Sequence, residues 1–145
     1  MSHPGRAVLQ IGSDAAAARW RRATLSTTGW SVMTCRGPGA DLCPVEHGRP
    51  CPLVREADVV IVDLALETHT NLENGISPGE LLAYYLGEDK PVIALTRSPH
   101  GIRPFVDERV KVLDQPPSAD ALGRAIAEAI PPFQSPQVLP QKIAP

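Results

Sequence analysis

Ala57-Asp58-Val59-Val60-Ile61-Val62-Asp63-Leu64 and Pro91-Val92-Ile93-Ala94-Leu95-Thr96 decide how this chain folds. Each is a continuous run of β-branched and aliphatic residues, without the polar alternation of a strand that has one wet face. Runs of this kind belong to parallel sheets covered by helices on both sides. Ligands of such sheets lie beyond the carboxyl ends of the strands, which is where Asp63 and Thr96 fall. Asp63 is therefore the leading site candidate. The structural alternative is a carboxylate that accepts backbone N–H groups in the turn that follows it.

Outward from this pair, the chain alternates. Ala7-Val8-Leu9-Gln10-Ile11 reads as the first strand, and Ser13 or Asp14 as the cap of a helix running to about Thr28. Ala17, Trp20, Ala23 and Leu25 are its expected core contacts. Arg19, Arg21 and Arg22 are expected on its solvated face. Gly29 closes the helix, because glycine tolerates the left-handed cap. Residues 30–35 form the second strand, and a short helix from Pro52 to Ala57 leads into the third. Asn74-Gly75 marks a turn, and Ser77-Pro78-Gly79-Glu80 has the form of a capping box with proline at the first helical position. That helix runs to Gly87. Val110-Lys111-Val112-Leu113 is the fifth strand. Ser118 caps the last helix, whose Leu122, Ile126 and Ile130 make a core stripe.

The βα alternation predicts a three-layer, doubly wound α/β fold with a parallel five-stranded sheet, flavodoxin-like, in the order 2-1-3-4-5. One domain spans residues 1–130. Residues 131–145 hold five of the sixteen prolines and no periodic pattern, and are expected to be disordered or an extended arm.

Composition narrows the function classes. With 145 residues the chain is one domain, and its formal charge of −2 offers no electrostatic capture of nucleic acid or of a membrane. Aromatics make up 4%, too few for base-stacking surfaces. No apolar run approaches the ~20 residues that span a bilayer, and the amino terminus lacks the pattern of a signal peptide. Three cysteines cannot all pair within one chain. A cytoplasmic location is the expectation.

The strand ends carry a resemblance. Val62-Asp63-Leu64, Leu95-Thr96 and the segment Leu113-Asp114-Gln115-Pro116 resemble the receiver domains of two-component signalling, over residues 7–130. That resemblance implies a phospho-accepting aspartate at Asp63 and a hydroxyl residue at Thr96. It also implies a lysine before the last helix and an acidic pair after the first strand that holds Mg²⁺. This chain has Gln115 in the lysine's place and Gly12-Ser13-Asp14 where the acidic pair would stand. Mg²⁺ requires hard oxygen ligands. The resemblance thus implies a pseudo-receiver, a fold kept for regulation or protein binding without the chemistry. Ser13, Asp14, Asp63, Thr96 and Gln115 would form its ligand or regulatory pocket. Output would run through a protein partner or self-association, and a small-molecule ligand is a further reading.

Residues 57–95 are also similar to nucleoside 2-deoxyribosyltransferase-like proteins. The matching pieces are Ala57-Asp58-Val59-Val60-Ile61, then Gly79-Glu80, then Gly87-Glu88-Asp89-Lys90-Pro91-Val92. This second resemblance implies a nucleoside-transferring or hydrolysing enzyme with Glu80 as nucleophile on the sugar's anomeric carbon. Glu80 also has an ordinary explanation, as the partner of Ser77 in the capping box.

Cys35-x7-Cys43-x3-His47-x3-Cys51 is the remaining constellation. Three thiolates and an imidazole make a tetrahedral zinc set, structural rather than catalytic because no coordination position stays open. A redox-sensitive thiol pair is the competing reading, and small loop residues without a role the third. His69 and His100 are assigned no role. The chain lacks a Gly-x-Gly-x-x-Gly motif, a P-loop and a Ser/His/Asp elbow.

Overall fold

The computed structural model describes residues 7–12, 14–35, 44–45, 49–64, 78–97, 108–114 and 116–129. Ser13, Cys43, His47, His69, Asn74-Gly75, Ser77, His100, Gln115, Ile130 and the tail 131–145 lie outside them.

Five strands form one parallel sheet in the order β2-β1-β3-β4-β5. They are β1 (Ala7–Ile11), β2 (Ser31–Cys35), β3 (Val59–Asp63), β4 (Val92–Thr96) and β5 (Val110–Asp114). The helices are α1 (Ala15–Ser26), α2 (Pro52–Glu56), α3 (Pro78–Gly87) and α4 (Ala119–Ala129). This is the doubly wound, flavodoxin-like arrangement that the strand runs predict.

The two-residue alternation of strand side chains divides the core into two layers. Val8, Val59, Ile61, Ile93 and Leu95 pack with Leu25 of α1 and Leu122, Ala125 and Ile126 of α4. Leu9, Ile11, Val60, Val62, Val92 and Ala94 pack with Val54 of α2 and Leu81, Leu82 and Tyr85 of α3. β3 and β4 are buried along their whole length, because each lies between two strands and beneath helices on both faces. The edge strands β2 and β5 keep partly exposed residues.

The register is pinned from below. Asp58 precedes β3, and its Oδ2 accepts the Ala7 N–H at 2.8 Å, while its own N–H donates to the Ala7 carbonyl at 2.7 Å. The start of β1 is thereby fixed against the start of β3, with Val8 opposite Val59 and Ile11 opposite Val62.

The helix ends follow their local chemistry. Ser118 Oγ accepts the Ala121 N–H at 3.0 Å and caps α4. Gly29 has φ 96° and closes α1, with the Trp30 N–H returning to the Leu25 carbonyl.

Helix α1 departs from the sequence expectation. Its buried residues are Ala18, Arg21 and Leu25, spaced three and four apart on one face. Trp20 is 42% exposed and Ala23 is exposed, so neither belongs to the core. Arg21, expected on the solvated face with Arg19 and Arg22, is only 1% exposed. The reason lies in β1, whose Gln10 faces the same layer.

Candidate functional site

Parallel pairing brings the carboxyl ends of β1, β3 and β4 side by side. Asp63 pairs with Leu95, and Thr96 stands one residue farther along the neighbouring strand. Both side chains are buried, Asp63 with 4% of its surface exposed. Asp63 follows Val59 and Ile61 in the alternation, so it belongs to the layer covered by α1.

The same layer holds a polar cluster built from β1 and α1. The Arg21 Nε–H donates to Gln10 Oε1 at 2.7 Å. Gln10 Nε2 donates in turn to the Ala18 carbonyl at 2.9 Å and to Thr34 Oγ1 at 3.1 Å. Gln10 is thus used on both sides of its amide and ties α1 to β1 and β2. A buried amide whose donor and acceptor are both engaged is the arrangement that makes burial affordable.

The Arg21 guanidinium reaches past Gln10 toward Asp63. Gly12 marks the point of closest approach. A Cβ at Gly12 would meet Asp63 Cβ at 3.0 Å, Arg21 Nη2 at 3.3 Å and Asp63 Oδ2 at 3.6 Å. A side chain at position 12 would crowd the aspartate and the guanidinium, and glycine avoids this. Arg21 Nη2 is buried and, among the described residues, has no hydrogen-bond partner. Burial pushes the Arg21 pKa below its usual value, and the charges of Asp63 and then Asp14 pull it back up. A guanidinium stays protonated at neutral pH, so the corner carries a fixed positive charge facing Asp63.

Asp14 lies at the mouth of the same corner. It is exposed, and its Oδ1 accepts the Ala17 N–H at 3.1 Å as the N-cap of α1. Of the five pocket residues expected from sequence, the structure brings Asp63 and Thr96 to adjacent strand ends. It places Asp14 at the helix start, while Ser13 and Gln115 lie outside the described residues.

Other candidates are scattered. Glu80 is exposed in the first turn of α3, a favourable place for an acid near a helix amino terminus. Cys35 ends β2 and is half-buried, and Cys51 is buried at the start of α2. The Cys51 N–H donates to Tyr84 Oη at 2.8 Å. Among the described residues no three His, Cys, Asp or Glu side chains gather around a common point. Cys43 and His47, the other two members of the zinc reading, lie outside the described residues.

A divalent cation of the kind the receiver resemblance implies does not fit the described residues of this corner. Gly12-Ser13-Asp14 stands where the acidic pair would be, and a Cβ at Gly12 would press on Asp63 Cβ at 3.0 Å. The acid at position 14 is engaged as a helix cap. A guanidinium nitrogen already faces Asp63 across Gly12.

Sequence reading missed Arg21 and Gln10. Gln10 was a signal in plain view. It is a polar residue in a strand otherwise made of Ala, Val, Leu and Ile, and such a residue needs a partner. The next helix offered one at the same face as Ala18 and Leu25.

No family model matches the chain, and comparison with curated proteins finds no match. Solved structures are. A response regulator receiver protein from Sinorhizobium medicae superposes with a TM-score of 0.64 at 13% identity, covering 85% of this chain and 92% of that one. A response regulator receiver domain protein from Clostridium thermocellum gives 0.62 at 20% identity, covering 92% of this chain and 98% of that one. The receiver domain of the PhyR response regulator from Erythrobacter litoralis gives 0.60 at 18% identity, covering 86% and 88%. The chain has the receiver-like fold. Among the described residues, no helix is long and apolar enough to cross a membrane.

Proposed function

We propose that this receiver-like chain is a non-catalytic regulatory module that works by binding a protein partner or a second copy of itself. One observation carries the reading. At the strand end where a receiver accepts a phosphoryl group, Asp63 faces a guanidinium and a glycine rather than a pair of carboxylates. Phosphoryl transfer is mostly positioning and charge neutralisation by a metal held on hard oxygens. Among the described residues this corner supplies one buried acid and one capping acid, and Gln115 stands in the sequence where the lysine that would pair with the acyl phosphate is expected.

The test is incubation with acetyl phosphate and Mg²⁺, read by intact mass. The expected result is an unmodified chain. A labile phosphoryl adduct that disappears in Asp63→Asn contradicts the reading.

A further inference from the structure

The mismatch between this corner and a divalent cation has a specific agent. Arg21 is 1% exposed, yet it lies on the helix that an all-apolar stripe would otherwise have buried. Nothing in packing alone calls for a guanidinium there, since burying one is costly unless it meets opposite charge and hydrogen bonds. Here its Nε is held by Gln10 at 2.7 Å, and Gln10 is itself held by Ala18 and Thr34. Among the described residues Nη2 has no hydrogen bond, and it lies beside the point where Gly12 approaches Asp63. Two charges stand near it, Asp63 and, more weakly, Asp14.

We infer that Arg21 is a built-in counter-ion of Asp63, braced by Gln10, which occupies the place of a divalent cation and keeps metal ions out of this corner. The inference deepens the functional reading above and rests on it. It names the device that holds the site in one charge state whatever the concentration of Mg²⁺ outside. A cation approaching Asp63 would meet a positive charge that cannot be deprotonated at neutral pH and, held by its brace, cannot swing away.

Mn²⁺, used as a paramagnetic probe in the place of Mg²⁺, tests this on the whole chain. Broadening of the Gly12 and Leu64 amide signals is followed in the wild type and in Arg21→Met and Arg21→Lys. The wild type and Arg21→Lys, which keeps the charge, are expected to show no saturable broadening at these amides through the millimolar range. Arg21→Met is expected to bind Mn²⁺ there at least about tenfold more tightly, as removal of a like charge within a few ångströms requires. If Arg21→Met does not fold, Arg21→Gln is the substitute, because its amide can pair with Gln10. If neither neutral variant folds, the wild type decides. Silence at Gly12 and Leu64, at concentrations that broaden amides near the exposed Asp120, supports the inference. Saturable broadening of the wild-type corner overturns it.

A folded neutral variant with unchanged Mn²⁺ affinity also overturns it. In that case an unphosphorylated wild type still leaves the functional reading standing. A phosphorylated Asp63 removes the functional reading directly, so the two failures are told apart.

Discussion

The middle of the sheet and the β1–α1 corner are built on opposite terms. β3 and β4 are stabilised by apolar burial that any aliphatic residue of the right size would supply. The corner is held by Gln10, Arg21, Gly12 and Asp63, where each group fits because of the chemistry of the others. The first region makes the fold, and many sequences could make it. The second gives this chain a charge arrangement of its own at the strand ends.

The largest effect is expected in the apolar region. Ile61 is fully buried in the central strand beneath α1 and α4. Ile61→Ala should cost about 2–5 kcal/mol, measured by urea denaturation, with no change in the behaviour of the corner. A loss below 1 kcal/mol would mean that the middle of the sheet is not the core.

Next comes the brace. Gln10→Leu removes the acceptor of the Arg21 Nε–H and leaves a buried guanidinium short of a partner, at about 2–3 kcal/mol. Arg21→Met in the Gln10→Leu background should recover at least half of that loss. Replacing both partners of a buried polar pair by apolar groups is far gentler than removing one. Strict additivity of the two substitutions would show that they do not interact.

The smallest effects set two glycines against each other. Gly12→Ala should destabilise by about 1–3 kcal/mol, because its new Cβ meets Asp63 Cβ at 3.0 Å. Gly123→Ala in α4, with nothing within 4 Å of the new atom, should stabilise by about 0.5–1 kcal/mol. Equal shifts in thermal midpoint would erase the distinction between the crowded corner and an open helix face.

The same contrast explains what could be read from the sequence. Val59–Val62 and Val92–Leu95 announce a buried parallel sheet through hydrophobicity alone, and the βα alternation with right-handed crossovers gives the strand order that the structure has. Asp63 and Thr96 were placed because strand ends are where sites form. The buried face of α1 was misread because hydrophobicity puts Trp20 inside and Arg21 outside. The helix is instead rotated so that Ala18, Arg21 and Leu25 face the sheet, since Gln10 satisfies the arginine there and the small Ala18 lets α1 approach β1. Burial of a charge depends on a partner distant in the chain, and a pattern taken within one helix carries no trace of it. Asp58 is a similar case. It reads as part of a strand, but its carboxylate holds the N–H of Ala7, fifty-one residues away.

Hydrogen exchange at the Arg21 side chain, followed by ¹⁵N NMR of its Nε–H at neutral pH, tests the buried brace most directly. The structure predicts a protected signal, exchanging at least about tenfold more slowly than that of the exposed Arg19 and losing its protection in Gln10→Leu. An Arg21 signal that exchanges as fast as that of Arg19 would put the guanidinium in water and contradict its role beside Asp63.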